Sequence, residues 1–164
     1  MNPSEFVTKY YPFGLEVEKE TSIPAIAILA QAALESGWGK SAIGNNLFGI
    51  KFRKGDYECR EVLTTEYSDS HDEWKGKNVK SKVYIPEINK YRYKVWQYFA
   101  DYKTPKDAFL RHSKLLLTDR YKHSLRWKHS PKRYLISVWR SGYATDWNYG
   151  RKMCDMVDSI NRRL

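Results

Sequence analysis

AQAALESGWGKSAIGNNLFGIK, residues 30–51, carries a single carboxylate, Glu35, to the end of a run of small apolar residues. The run then stops at Ser36-Gly37-Trp38-Gly39. Two physical effects act on an acid in that place. The backbone dipole disfavours negative charge near a helix C-terminus. An indole and an aliphatic face beside it withdraw solvent from the charged form. Both raise the pKa, and a carboxyl kept protonated near neutrality can deliver a proton to a glycosidic oxygen. An ordinary surface glutamate is the plain alternative. The glycines around Trp38 favour a binding site, because they let a flat ring come close to the backbone.

Outward from this segment, the residues before it predict two helices. Asn2, Pro3 and Glu5 form a start signal, followed by Phe6, Tyr10, Phe13 and Val17 on one side. Pro12 is expected to kink or divide that helix. Ser22 and Pro24 are expected to open the next, with Ile26, Leu29, Ala30, Ala33 and Leu34 as its apolar positions and Gly37 and Gly39 ending it.

Beyond residue 46 the period changes. YECREVLTTEY (57–67) and YRYKVWQYF (91–99) alternate and are rich in β-branched and aromatic residues, so they predict strands. The polar stretch SDSHDEWKGKNVKSK between them predicts a hairpin tip or lobe edge. Helical signals return at Thr104-Pro105-Lys106-Asp107, a capping box with aspartate in place of glutamate. Ser130-Pro131 opens a further helix closed by Gly142. Asp146 is expected to cap the last, which carries Met153, Met156, Val157 and Ile160. The layout is one α+β domain over 1–164, mostly α, with an antiparallel patch at about 46–100.

Composition bounds the partners. The chain has 164 residues, 41% hydrophobic and 15% aromatic, with thirteen tyrosines and six tryptophans, which predicts a folded globule. Its formal charge of +10 is uneven, because residues 1–50 carry −2 and residues 51–164 carry +12. Such a surface favours polyanions: nucleic acid, anionic membrane or acidic wall polymers. No nucleic-acid motif accompanies the charge, and no run approaches the ~20 apolar residues of a membrane span. The N-terminus, MNPSEFVTKYYPFG, lacks the apolar core of a signal peptide. Cys59 and Cys154 make no metal or redox motif and read as two buried free thiols. His71, His112, His123 and His129 are scattered without metal spacing, and His112 reads as a structural histidine on an apolar helix face. No metal, cofactor or nucleophilic serine or cysteine constellation is expected.

Three separated blocks, in order, resemble the peptidoglycan-cleaving N-acetylglucosaminidases of glycoside hydrolase family 73. They are residues 30–51, VLTTEY (62–67) and SGYATDWNYGRKM (141–153), and the likeness extends over about residues 3–163. The resemblance implies a lysozyme-like fold, with a helical lobe and a small β lobe flanking a sugar-binding cleft. It implies Glu35 as general acid, and Glu66 as the β-lobe carboxylate that positions water or steadies an oxocarbenium-like transition state. Tyr143 takes the place of the family's cleft tyrosine. Trp38, Asn46 and Phe48 fall in the segment shaping the floor of the site, with Asp146 also on the substrate side. Two departures stand out: Trp147 replaces a common proline, and residues 67–99 exceed the usual short hairpin.

The expected partner is the peptidoglycan glycan strand, with anionic wall polymers as a further one, for a monomer acting in the bacterial wall or periplasm. Phage carriage or another delivery route is expected in place of a leader. A muramidase, a lytic transglycosylase and a non-catalytic wall-binding module are the competing readings.

Overall fold

The computed structural model describes all residues, Met1–Leu164. They form two compact units, Met1–Ile50 with Tyr102–Leu164, and Lys51–Asp101. The first is helical and the second is an antiparallel sheet. The fold is α+β and mostly helical.

In the helical unit, α1 spans Pro3–Thr21, α2 Ala25–Glu35, α3 Pro105–Leu116, α4 Pro131–Arg140 and α5 Tyr149–Asn161. Asn2 and Glu5 close a reciprocal capping box at the start of α1. Pro12 neither divides nor ends that helix, which runs unbroken past it. Pro12 and Thr8, whose carbonyl loses its amide partner, are both exposed, so water can take the missing bond. Ser22 does not open α2. It closes α1 in a left-handed conformation, φ 62°. The start of α2 is capped from outside, where Glu18 of α1 accepts from the Ala25 amide at 3.1 Å.

Helix α2 is apolar on every side and is buried from Ala25 through Ala33 apart from the half-buried Ile26. Its alanines allow α1, α4 and α5 to approach it closely, and it forms the axis of this unit. The Thr104–Asp107 capping box starts α3 as the residues predict. At α5, Asn148 is the capping position, not Asp146. The Asp146 carboxylate lies two residues earlier, accepting from the Asn148 amide at 2.9 Å and from Lys152.

Helices α4 and α5 meet through Gly150, where an added Cβ would lie 2.7 Å from Cε3 of Trp139. The Trp139 indole N–H donates to the Asp146 carbonyl, so the ring is held in place. Alanine is the better helix former by ~1 kcal/mol, yet Gly150→Ala is expected to destabilise by about 1–3 kcal/mol through overpacking. A urea-unfolding midpoint equal to or above wild type would contradict this packing.

The sheet unit contains β1, Glu58–Ser68, β2, Val79–Ile85, and β3, Lys90–Asp101, in the order β1-β3-β2. β1 and β3 pair from Glu58↔Asp101 to Ser68↔Tyr91. β2 begins inside the stretch expected to be a hairpin tip. It is an exposed edge strand bearing Lys80 and Lys82, so it lacks the alternation that marks a half-buried strand. The added length of residues 67–99 is therefore one more strand and the loop that feeds it. Tyr93 ties that loop down through its hydroxyl, which donates to the Ser70 carbonyl at 2.8 Å. Both cysteines are free, but neither is buried: Cys59 is exposed on β1 and Cys154 half-buried on α5.

Candidate active site

Glu35 is the last residue of α2, and the tight reversal of the chain at residues 36–39 sets its placement. Ser36, Gly37, Trp38 and Gly39 turn the backbone, with φ of 55°, 59° and 80° at the last three. A positive φ is unusual for tryptophan and is kept only where the surroundings demand it. Here they do. The Trp38 amide donates to the Ala33 carbonyl at 2.8 Å, and the Ser36 hydroxyl donates to the Ala32 carbonyl while accepting from the Gly39 amide. The indole sits edge-on to the buried Phe6 ring at 5.6 Å, with the Arg163 guanidinium over it at 5.7 Å.

The Glu35 side chain keeps contact with solvent, yet enough protein surrounds its carboxyl for desolvation to raise the pKa. The helix terminus acts in the same direction. The aromatic groups coupled to its charge are Tyr143 and Tyr149. Both phenols are pushed above their ordinary range, first by burial, with the Glu35 charge adding to it. They therefore stay protonated; the Tyr143 hydroxyl donates to that of Tyr149, which leaves the Tyr149 O–H to donate to an oxygen nearby. Their rings lie 5.6 Å apart.

Behind the tyrosines lies a buried polar chain. Gln31, the one polar side chain within the apolar run of α2, donates to the Tyr149 hydroxyl at 3.3 Å. Its carbonyl end is 3.0 Å from Nε2 of His112. Burial lowers the His112 pKa to about 3, so the ring is neutral and Nε2 carries the donated proton. His112 stacks flat on Phe48 at 4.1 Å and 7°, and meets the Tyr143 ring edge-on at 6.0 Å. It is thus a partnered structural histidine, as its helix face suggests.

Asn46 and Phe48 act on this region from inside. Asn46 is buried and holds the 46–50 loop by accepting from the Phe48 and Ile50 amides and donating to the Ile50 carbonyl. Phe48 is also buried and props His112. Asp146 is held well below the usual carboxylate range by Lys152 and the Asn148 amide, which makes it a fixed anchor of the loop before α5. Trp147, beside it, is 84% exposed.

Within the sheet unit, Glu66 is half-buried on β1 and accepts from the Gln97 amide at 2.6 Å. Gln97 in turn accepts from Lys51. Desolvation lowers the Lys51 pKa, and the charge of Glu66 works against that shift. Glu66 is therefore held in a cationic and amide environment on its strand.

Gln31, Tyr149, Lys51 and Gln97 do not stand out in the sequence. The one usable signal was Gln31, a lone amide in a run where every neighbour is apolar.

Comparison with known proteins identifies the family. The family model described as mannosyl-glycoprotein endo-beta-N-acetylglucosaminidase matches residues 12–162. The peptidoglycan hydrolase FlgJ of Pseudomonas aeruginosa is 33% identical over 161 residues, covering 93% of this chain and 36% of that protein. The exo-glucosaminidase LytG of Bacillus subtilis is 30% identical over 88% of this chain and 46% of its own. The chain thus spans between a third and a half of the length of these relatives. Among solved structures, the truncated glycoside hydrolase domain of Salmonella typhimurium FlgJ superposes with a TM-score of 0.71 at 26% identity, covering 98% of this chain and 99% of that one. With the family model spanning most of the chain and the mostly helical α+β fold in agreement, the chain belongs to the glucosaminidase family.

Proposed function

We propose that the chain hydrolyses the glycan strand of peptidoglycan as an endo-β-N-acetylglucosaminidase, with Glu35 as general acid. The observation that carries this reading is a solvent-reachable carboxyl at the end of α2, desolvated enough to favour its protonated form and coupled to two phenols that stay protonated. Protonated Glu35 gives its proton to the glycosidic oxygen as the C1–O bond breaks and the sugar becomes oxocarbenium-like. Tyr143, unable to ionise near neutrality, donates to Tyr149, whose own O–H is offered to a sugar hydroxyl or to the Glu35 carboxyl. Water completes the reaction at C1 by one of two balanced routes: Glu66 takes its proton in a direct attack, or the substrate's acetamido oxygen first bonds C1 and the Glu35 carboxylate takes the water proton as that bond breaks. Gln31 and His112 keep the tyrosines oriented. The P. aeruginosa relative's description as a peptidoglycan hydrolase supports the polymer, and the family description supports the sugar. With that polymer as substrate, the site of action is the bacterial wall.

One protonated acid serves either glycosidic oxygen, so the products decide the bond. Digested wall reduced with borohydride should yield N-acetylglucosaminitol termini by mass spectrometry. Reduced muramitol termini would make the chain a muramidase, and 1,6-anhydro-muramoyl ends a lytic transglycosylase. Either result overturns the bond proposed.

A further inference from the structure

A cavity of about 480 Å³ lies between the short 3-10 helical segment Lys122–Trp127 and α4, and its walls include Arg126, Trp127, Arg133, Ile136, Ser137 and Arg140. None of Glu35, Tyr143, Tyr149 or Gln31 lines it. We propose that this cavity binds phosphate esters, and that its occupant is a phosphodiester-linked polyol chain.

Three observations converge. First, residues 120–145 contain seven Lys/Arg and no Asp/Glu. Of the acids that flank this stretch, or reach it from α5, Asp119 pairs with Lys122, Asp146 with Lys152 and Asp158 with Lys132, and Asp155 acts on Lys132. The guanidiniums of Arg126, Arg133 and Arg140 are left to the cavity. Second, they are set at a spacing a ligand can use. Arg133 and Arg140 are seven residues apart, two turns along one face of α4. Arg126 and Arg133 both lie over the Trp127 ring, at 5.6 and 5.1 Å from its centroid, which brings the two guanidiniums together at one ring. Third, the cavity has the volume of a site for a small organic ligand, not a bare ion. Trp127 and Ile136 give it an apolar wall, while Ser137 and Ser141 give it hydroxyls.

Phosphate suits this better than carboxylate. A carboxylate offers one edge, which a single guanidinium fork satisfies, whereas tetrahedral phosphate presents oxygens in several directions to several forks. A polyol phosphate suits it better than nucleic acid. Single-stranded nucleic acid needs a free aromatic face for its bases, and the cavity's one indole is already covered by two arginines.

The proposal does not depend on hydrolysis, because binding is read without turnover. The test is isothermal titration of the full chain, at one ionic strength, with poly(glycerol phosphate), glycerol phosphate, poly-L-glutamate and oligo-dT. The polymer should bind most tightly, with glycerol phosphate competing weakly for the same cavity. Arg133→Gln/Arg140→Gln should weaken polymer binding about tenfold or more, since hydrogen bonds to charged groups are lost. Lys9→Gln/Lys114→Gln, the same change of charge away from the cavity, should cost less than about threefold. Should the glutamine pair melt early, Arg133→Lys/Arg140→Lys keeps the charge, removes the forks and should show most of the same loss. Equal losses in the cavity and control pairs, retention of affinity in the lysine pair, or tighter binding of poly-L-glutamate or oligo-dT each overturns the proposal.

Discussion

Glu35→Gln is expected to fold normally and to lose wall-glycan turnover by about 10²–10⁴-fold. The amide fills the same volume at the end of α2 but has no proton to give a leaving oxygen. Two further readouts separate this from a mere loss of binding. In the wild type, burial favours the protonated form of Glu35. Activity limited by that form should therefore fall on the alkaline side, as pH rises through a pKa lifted above the ordinary 4.5. The same shift sets the sign for stability. Ionising Glu35 is harder in the folded chain than in the unfolded one, so its contribution is full below 4.5 and is lost as pH climbs to the raised value. The glutamine variant, which never ionises, should be as stable as wild type at neutral pH or more so. Clearing of purified walls at a wild-type rate by the folded variant would remove Glu35 from the chemistry. Glu66→Gln should lower turnover by less, since the acetamido group of the substrate can share its task. Full loss at Glu66 with little loss at Glu35 would reverse the two roles.

The second large effect belongs to His112. Its folded-state pKa is depressed from 6.5 to about 3 by burial. Below pH 6.5 the unfolded chain therefore takes up a proton that the folded chain refuses. Stability from this group is complete above 6.5 and falls as pH drops towards 3, by about 1 kcal/mol for each pH unit crossed. His112→Gln keeps a neutral polar side chain at the position and does not titrate. It gives up the stack on Phe48, so it should start less stable. Its unfolding free energy should nevertheless decline less between about pH 7 and about pH 4.5, by about 2–3 kcal/mol relative to wild type. Carboxylates contribute equally to both chains and cancel in the comparison. Identical declines in urea titrations at the two pH values would show that His112 is protonated in the fold.

The alternation of 57–67 and 91–99, the capping boxes at Asn2 and Thr104 and the apolar run ending at Glu35 were all legible from local residue order. Each rests on interactions within one element or between adjacent residues: period, caps and the chain reversal at glycine. What local order could not show was which groups distant parts of the chain bring together. Pro12 looks like a breaker, but the exposed face it occupies lets α1 pass through it. Residues 79–82, VKSK, end a polar stretch that reads as a hairpin tip, yet they open a strand because β3 offers it an open edge. Trp38 stands next to Glu35 in sequence, yet its indole packs on Phe6 under Arg163, while the groups coupled to the acid come from more than a hundred residues away.

The candidate acid was thus written in a local pattern, a carboxylate carried to a helix end and followed by glycines. Its chemistry was not. The desolvation of Glu35, the protonated tyrosines beside it and the Gln31–His112 chain behind them exist only once α2, α3 and α5 pack. Desolvation and hydrogen-bond direction depend on what fills the surrounding space, and residue order alone does not specify that.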